Sequence, residues 1–283
     1  MKFSLIMCTL GRHKEVELFL CSLIEQTYKY YEIIVVDQND DDKVTLICDK
    51  YKERLTELKY FKVEFKGLSR ARNFALVHHT GDIIAFPDDD CIYPKNILEK
   101  VKNFFEMNPI GIVTGKSSNK ITCYTEKKTE ILKEVRPYNM FGILISYTVF
   151  FNKNEVCKSN LTFDENLGVG TLFGSTEESD FVLHQLLRGV KCYVLSNLEI
   201  YHPNKDANIS FERLSYYNLG VGAFIRKNIS CHPELIYLLL KVMFFAPLLK
   251  SIYGFFCCDR KEIKIAFLIF KSRWEGFFQY GKK

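Results

Sequence analysis

The first third of the chain alternates between two kinds of pattern, and this restricts the fold more than any other feature. Phe3 to Thr9 (FSLIMCT) and Glu32 to Asp37 (EIIVVD) are short apolar runs, the signature of strands buried on both faces. Between them Val16, Phe19, Leu20, Leu23 and Ile24 recur at helical spacing. A second helical stretch runs to about Arg54, followed by a strand near Tyr60 to Glu64. GLSRARNFALVHHTG reads as a helix opened by Gly67 and Ser69 and closed by Gly81. DIIAFP (Asp82 to Pro87) reads as the next strand, and Pro94 to Met107 as a helix with proline in its first turn. Strands alternating with helices predict βαβ units, hence an α/β fold with a Rossmann-like, mostly parallel central sheet flanked by helices. Ligands of such sheets bind beyond the carboxyl ends of the strands. Thr9, Asp37 and the triplet Asp88, Asp89, Asp90 all fall at those ends.

The triplet lies in IAFPDDDCIYP, where three adjacent carboxylates follow an apolar run. Like charges packed beside a core strand are costly without a positive partner. A hard cation such as Mg²⁺ or Mn²⁺ takes oxygen ligands, needs only one or two protein carboxylates, and leaves positions for substrate phosphates. The competing reading is an acidic turn complementing the dipole of the helix after Pro94, but three acids exceed what a cap needs. Two neighbouring motifs fail inspection. DQNDDD opens like a calcium loop, yet Asp42 stands where glycine is required and Cys48 where glutamate is required. No glycine-rich phosphate loop follows any strand.

Composition bounds the remainder. Of 283 residues, 47% are hydrophobic and 26% charged, enough for a large core and unlike a disordered chain. A net charge of +5, with dispersed lysines and arginines, argues against nucleic acid and suits an anionic small molecule or membrane surface. The ten cysteines are scattered, mostly in apolar runs such as those holding Cys8, Cys21, Cys48 and Cys192. With no secretory signal in MKFSLIMCTLGRH, free thiols in a reducing cytoplasm are expected. Cys257-Cys258 lacks a second pair at zinc spacing.

Residues 116–175 are less regular. STEESDFVLHQLLRG reads as a helix with Ser175 as its cap, Glu178 completing a capping box and Gly189 as its stop. KCYVLSNLEIYHP reads as two short strands ending at His202-Pro203. PELIYLLLKVMFFAPLLKSIYGFFCC is very apolar, but Lys241, Pro247 and Lys250 interrupt it. It is expected to form amphipathic helices lying in a membrane interface rather than a span, with helices covering the core as the alternative.

Taken in order, these segments resemble a family-2 glycosyltransferase of the GT-A fold. SLIMCTLGR resembles the family's first strand, and YEIIVVDQND its second. GLSRARNFALVHHTGDIIAFPDDDCIYP resembles its donor-side core, and FDENLGVGTLFGSTEESDFVLHQLLRG its acceptor-side motif. The resemblance covers about residues 1–205, and YNLGVGAFIRKN with the carboxyl-terminal stretch looks like the appendages of capsule and O-antigen members. It implies a catalytic domain over 1–205, with a nucleotide-sugar half at about 1–115 and an acceptor half at about 116–205. Residues 206–283 would form a helical, membrane-associating region.

By the same resemblance, Thr9 and Asp37 hold the nucleobase, and Arg70, Arg72 and Asn73 line the nucleotide and diphosphate pocket. Asp88 faces the ribose and Asp89 also contacts the donor. Asp90 binds Mn²⁺ or Mg²⁺, with Asp88 and His202 as further metal ligands. Pro87 stands where the family often has its first acid, so the choice among the three carboxylates stays open, with Asp90 favoured. Glu178 is the implied general base, with Glu177 and Asp180 on the acceptor side. The implied reaction is inverting, metal-dependent transfer of a hexose from a nucleoside-diphosphate sugar, foremost a UDP-sugar, to a lipid-linked glycan of a bacterial surface polysaccharide. The implied location is the cytoplasmic face of the plasma membrane, peripherally bound. A sugar-nucleotide pyrophosphorylase is the rival enzyme, but CTLGRHKE lacks its glycine-rich loop. A non-catalytic nucleotide-binding membrane module is the rival from another class.

Overall fold

The computed structural model describes residues 1–119, 130–156, 161–203 and 209–282. The chain divides into two compact units. The first comprises Met1–Lys66, Arg70–Thr162 and Phe181–Asn204; the second comprises Gly67–Ser69, Phe163–Asp180 and Lys205–Lys283.

The first unit is built on β1 (Phe3–Thr9), α1 (Lys14–Ile24), β2 (Tyr31–Asp37), α2 (Lys43–Tyr51) and β3 (Leu58–Lys62). These lead into α3 (Leu68–Leu76, its part from Arg70), β4 (Ile83–Ala85), α4 (Ile97–Met107), β5 (Ile112–Ser118), β6 (Ile131–Val135), β7 (Phe150–Asn152), α5 (Glu177–Leu186, its part from Phe181) and β8 (Cys192–Tyr201). The strands form one eight-stranded sheet in the order β3-β2-β1-β4-β7-β5-β8-β6. β1 through β4 pair in parallel, as do β5 and β8; β7 runs antiparallel to β4 and β5, and β6 to β8. All seven residues of β2 are buried, as expected for a strand covered on both faces. The apolar stripe of α1 (Val16, Phe19, Leu20, Leu23) faces the same core as Phe3, Leu5 and Met7 of β1.

Several expected boundaries move: β3 is Leu58–Lys62 rather than Tyr60 to Glu64, and α3 ends at Leu76 rather than at Gly81. Two further shifts have clear local reasons. α4 starts at Ile97 rather than Pro94, because the Gln26 amide donates to the Pro94 carbonyl at 2.9 Å and the Ile97 amide closes a turn onto the same carbonyl. The two short strands expected around His202 are one strand, β8. It pairs with β5 on both sides of a register shift between Thr114 and Lys116. Gly115 permits this bulge, since a Cβ there would collide with the Leu198 carbonyl.

The second unit holds α6 (Phe211–Cys231), α7 (Ile236–Leu239), a π-helical segment Leu240–Phe245, α8 (Ala246–Phe256) and α9 (Arg260–Gln279). α6 and α9 cross closely at Gly222 and Gly276, where any side chain would strike the backbone of Arg273 or Leu219. Lys227 of α6 ties together Asp164 at 2.8 Å and Asp180 at 2.7 Å, and Tyr280 donates to Asp164 at 2.6 Å. Burial opposes the charge on Asp164, but Lys227 and Tyr280 outweigh it and hold the carboxyl at about 2. The expected Ser175 cap is corrected: its hydroxyl donates to the Tyr217 carbonyl, and Thr176, at φ 73°, immediately precedes α5.

Candidate active site

β1 and β2 deliver Thr9 and Asp37 side by side in register, and a bridge between Cys8 and Asp88 extends this line to the triplet. A turn closed from the Cys91 amide to the Asp88 carbonyl then separates the three carboxylates. His202 arrives from β8. The preceding residue, Tyr201, pairs with Ile92 through two backbone bonds, and the His202 amide donates to Ser118. One ligand atom each from Asp88, Asp90 and His202 thereby lies within 4.8 Å of the others.

The three acids occupy different environments. Asp89 accepts from Thr9 Oγ1 at 2.7 Å and from Arg12, and is 4% exposed. Burial dominates there and pushes its carboxyl up to about 6, against the pull of Arg12 and Thr9. Asp90 receives the other arm of the Arg12 guanidinium on Oδ2 at 2.8 Å. Its burial opposes ionisation, yet His202 and Arg12 outweigh burial and hold it below the ordinary carboxylate range. Asp88 lies 3.6 Å from Arg72, whose guanidinium is buried, donates to Ser146 at 2.6 Å and sits over the Phe86 ring.

The chemistry of the His202 contact tests whether a cation fits. The ring stacks on Tyr147, and Nδ1 donates to the Pro203 carbonyl at 2.7 Å. With its neutral-state proton there, Nε2 turns a lone pair toward Asp90 Oδ1 at 2.9 Å and Asp88 Oδ2 at 4.0 Å. Asp90 Oδ1 is buried, and no hydrogen-bond donor to it is found among the described residues. A divalent cation, or a second ring proton, satisfies that pair of facing acceptors. The donor set of two carboxylates and an imidazole, with Nδ1 anchored to a carbonyl, suits Mn²⁺ or Mg²⁺. Burial favours neutral His202, but the Asp90 contact outweighs it and raises the ring's pKa.

The other expected residues sit as follows. Asp37 is fully buried; it accepts from the Asn39 amide and side chain and from the Tyr60 hydroxyl at 2.7 Å. Arg70 is exposed and stacks over Phe65 at 4.4 Å, while Asn73 is half-buried on α3. In the second unit, Glu177 and Asp180 are buried, and Asp180 accepts from Lys227 and from Asn228 at 2.9 Å. Glu178 is the partly exposed member of that acidic turn. Sequence reading missed Arg12, the cation that spans Asp89 and Asp90. Its one legible signal was a lone arginine in the turn directly after β1, where Gly11 takes φ 77°.

A mostly parallel α/β sheet with acidic groups gathered beyond its strand ends, and a helical appendage, defines a GT-A glycosyltransferase. Residues 4–163 match the family model described as glycosyl transferase family 2, more than half of the chain, and the protein belongs to that family. It is 31% identical over 172 residues to the minor teichoic acid biosynthesis protein GgaB of Bacillus subtilis, covering 55% of this chain and 19% of GgaB. It is 26% identical over 210 residues to the poly(ribitol-phosphate) beta-N-acetylglucosaminyltransferase TarS of Staphylococcus aureus, covering 72% of this chain and 36% of TarS. The chain thus spans about a third or less of the length of these curated relatives. The crystal structure of TarS 1–349 superposes with a TM-score of 0.61 at 21% identity, covering 100% of this chain and 93% of that one. The mannosyltransferase PcManGT from Pyrobaculum calidifontis, solved with GDP-Man and Mn²⁺, gives 0.70 at 15% identity, covering 99% and 88%.

Proposed function

We propose that the protein transfers a hexose, with inversion and dependence on Mn²⁺ or Mg²⁺, from a nucleoside-diphosphate sugar to a lipid-linked glycan at a membrane surface. The role would lie in bacterial surface polysaccharide synthesis, of the capsule or O-antigen kind. The observation that carries this reading is the orphaned Asp90 Oδ1 facing His202 Nε2 at the end of a parallel sheet. Asp90, His202 and Asp88 would hold the metal, and a metal there supplies positive charge against the diphosphate leaving group. Support for a UDP-sugar comes from TarS, solved in complex with UDP-GlcNAc.

The chain's own residues divide the remaining work. Asp37 fixes Tyr60 and Asn39 around the nucleobase pocket, beside Thr9. Arg72 backs Asp88 from within the core, while Arg70 and Asn73 flank the nucleotide. Asp89 receives Thr9 and Arg12, so that Arg12 in turn aims Asp90. Glu178 is the general base, its partial exposure leaving it accessible to an acceptor; Glu177 and Asp180 shape the acceptor side from within the fold. The Glu178 carboxylate takes the acceptor hydroxyl's proton and the oxygen bonds to the anomeric carbon. The bond from that carbon to the diphosphate oxygen breaks, and the nucleoside diphosphate departs with the electron pair. With one base and attack opposite the leaving group, the configuration inverts. The domain reading, a catalytic 1–205 with a membrane-associating 206–283, belongs to the same proposal.

A panel of nucleotide sugars, screened for Mn²⁺-dependent nucleoside diphosphate release with and without acceptor, tests this. A donor whose turnover requires Asp90 and an acceptor supports transfer. Binding without turnover across lipid-linked saccharides and poly(polyol phosphate) acceptors favours the non-catalytic module instead.

A further inference from the structure

The second unit carries a surface that sugar chemistry does not use. Phe245, Leu248, Leu249, Ile252 and Phe256 repeat at helical spacing along the π-helical segment and α8, and all are exposed, Leu249 by 64% and Phe256 by 79%. The opposite side of the same stretch is packed. Gly254 lies against Glu262 and Ile263 of α9, and Val242 and Met243 are buried. On α9, Phe267 and Phe278 are also exposed. A contiguous apolar face of this kind marks a partner or a membrane.

Charge selects between them. Residues 236–283 hold nine lysines and arginines against three acids, a net of +6, whereas the whole chain carries +5. All of the protein's net positive charge therefore lies in this segment. Arg260, Lys261 and Lys264 are exposed and come after the apolar tip at Phe255-Phe256, separated from it by Cys257, Cys258 and Asp259. A second copy would oppose two faces of like charge, while an anionic bilayer complements one.

We infer that this face docks one-sidedly onto a bilayer containing anionic lipid, with the Phe245–Phe256 stripe entering the headgroup boundary and the basic residues after it contacting lipid phosphates. The inference deepens the membrane-surface part of the proposed function, and its test reads vesicle binding without turnover, so either can fail alone. Ile236–Phe256 is 21 residues with a mean hydropathy of 1.6, long and apolar enough to cross a membrane. Its polar ties oppose crossing. Arg273 donates to the Val242 carbonyl at 2.5 Å and to Asn218 at 2.8 Å, and Lys250 pairs with Glu262 at 2.5 Å. Insertion across the bilayer would drag these charges into hydrocarbon or break them.

The chain contains its own depth probe. Trp274 is its single tryptophan, and it packs among Phe244, Phe270, Phe277 and Phe278 on this side of α9. The full chain is floated with vesicles of phosphatidylcholine, alone or with about 30% phosphatidylglycerol. At low salt, binding is expected to be at least about tenfold tighter with phosphatidylglycerol and to weaken as salt rises. Trp274 is expected to be quenched by brominated lipid, more by shallow than by deep bromine. Leu249→Glu with Phe256→Glu, both on exposed positions, should lower binding about tenfold or more on either vesicle. Lys261→Glu with Lys264→Glu should remove most of the anionic preference alone. Unchanged melting curves check that the variants fold. Equal binding to both vesicles, absence of Trp274 quenching, resistance to alkaline carbonate extraction, or a Leu249-dependent dimer that ignores vesicles would each overturn the inference.

Discussion

The strand-end site and the carboxyl-terminal helices solve opposite problems. At the sheet end, charge is concentrated, buried and tied: Asp89 by Thr9 and Arg12, His202 by Pro203 and Tyr147, Arg72 by Ser146. On the helices, apolar groups are exposed and the excess charge is all positive. The first arrangement fixes atoms to within fractions of an ångström, which chemistry requires. The second offers area and field, which recruitment to a surface requires. The contrast teaches that damage should separate cleanly: variants at one region should leave the other's function intact.

The largest separation is expected from Asp90→Ala. Turnover should fall about a thousandfold and Mn²⁺ binding by calorimetry should vanish, with vesicle flotation unchanged. Parallel loss of vesicle binding would break the comparison. Glu178→Gln sharpens it within the enzyme, lowering kcat by about 10²- to 10³-fold while Mn²⁺ and donor binding persist. Lys227→Met tests the second unit's own scaffold. Removing the cation strands buried Asp180 and half-buried Asp164, and should cost about 3–5 kcal/mol in denaturant unfolding. The sign with pH follows from the depressed Asp164. Its contribution is fully present above its ordinary 3.8 and disappears as pH falls through about 2, so the deficit of the variant should shrink over that window.

Two smaller effects probe the metal pocket. His202 must be neutral to ligate, and its pKa is raised. Mn²⁺ affinity should therefore weaken by up to about tenfold per pH unit once pH drops below that raised value, and His202→Gln should flatten the profile. Arg12→Ala releases the clamp on Asp89 and Asp90; Mn²⁺ affinity should drop about tenfold, with partial rescue by Arg12→Lys, since one ammonium cannot span both acids.

Much of the fold was open to reading because doubly buried strands leave uninterrupted apolar runs: the expected Phe3–Thr9 is β1 without change, and Glu32–Asp37 misses only Tyr31 of β2. Boundaries drifted where a distant side chain captured the backbone, as Gln26 did at Pro94. Adjacent acids advertise their own electrostatic cost, which is why the triplet stood out. Arg12 gave no comparable signal, since its partners come from a turn elsewhere in the chain. Nor could spacing reveal that Asp37 would be occupied by Tyr60 and Asn39, or that Asp180 would pair with Lys227.

The Ile92–Tyr201 bridge has a further meaning for how the molecule forms. Asp90 and His202 meet only after a loop on the order of 110 residues has closed, a length-dependent entropy cost of about 4 kcal/mol. A cation held by both ends binds the closed chain and not the open one, so it shifts the folding equilibrium by its own affinity. Metal concentration should then act as a thermostat for the native state, and the melting temperature would report occupancy before any sugar is offered.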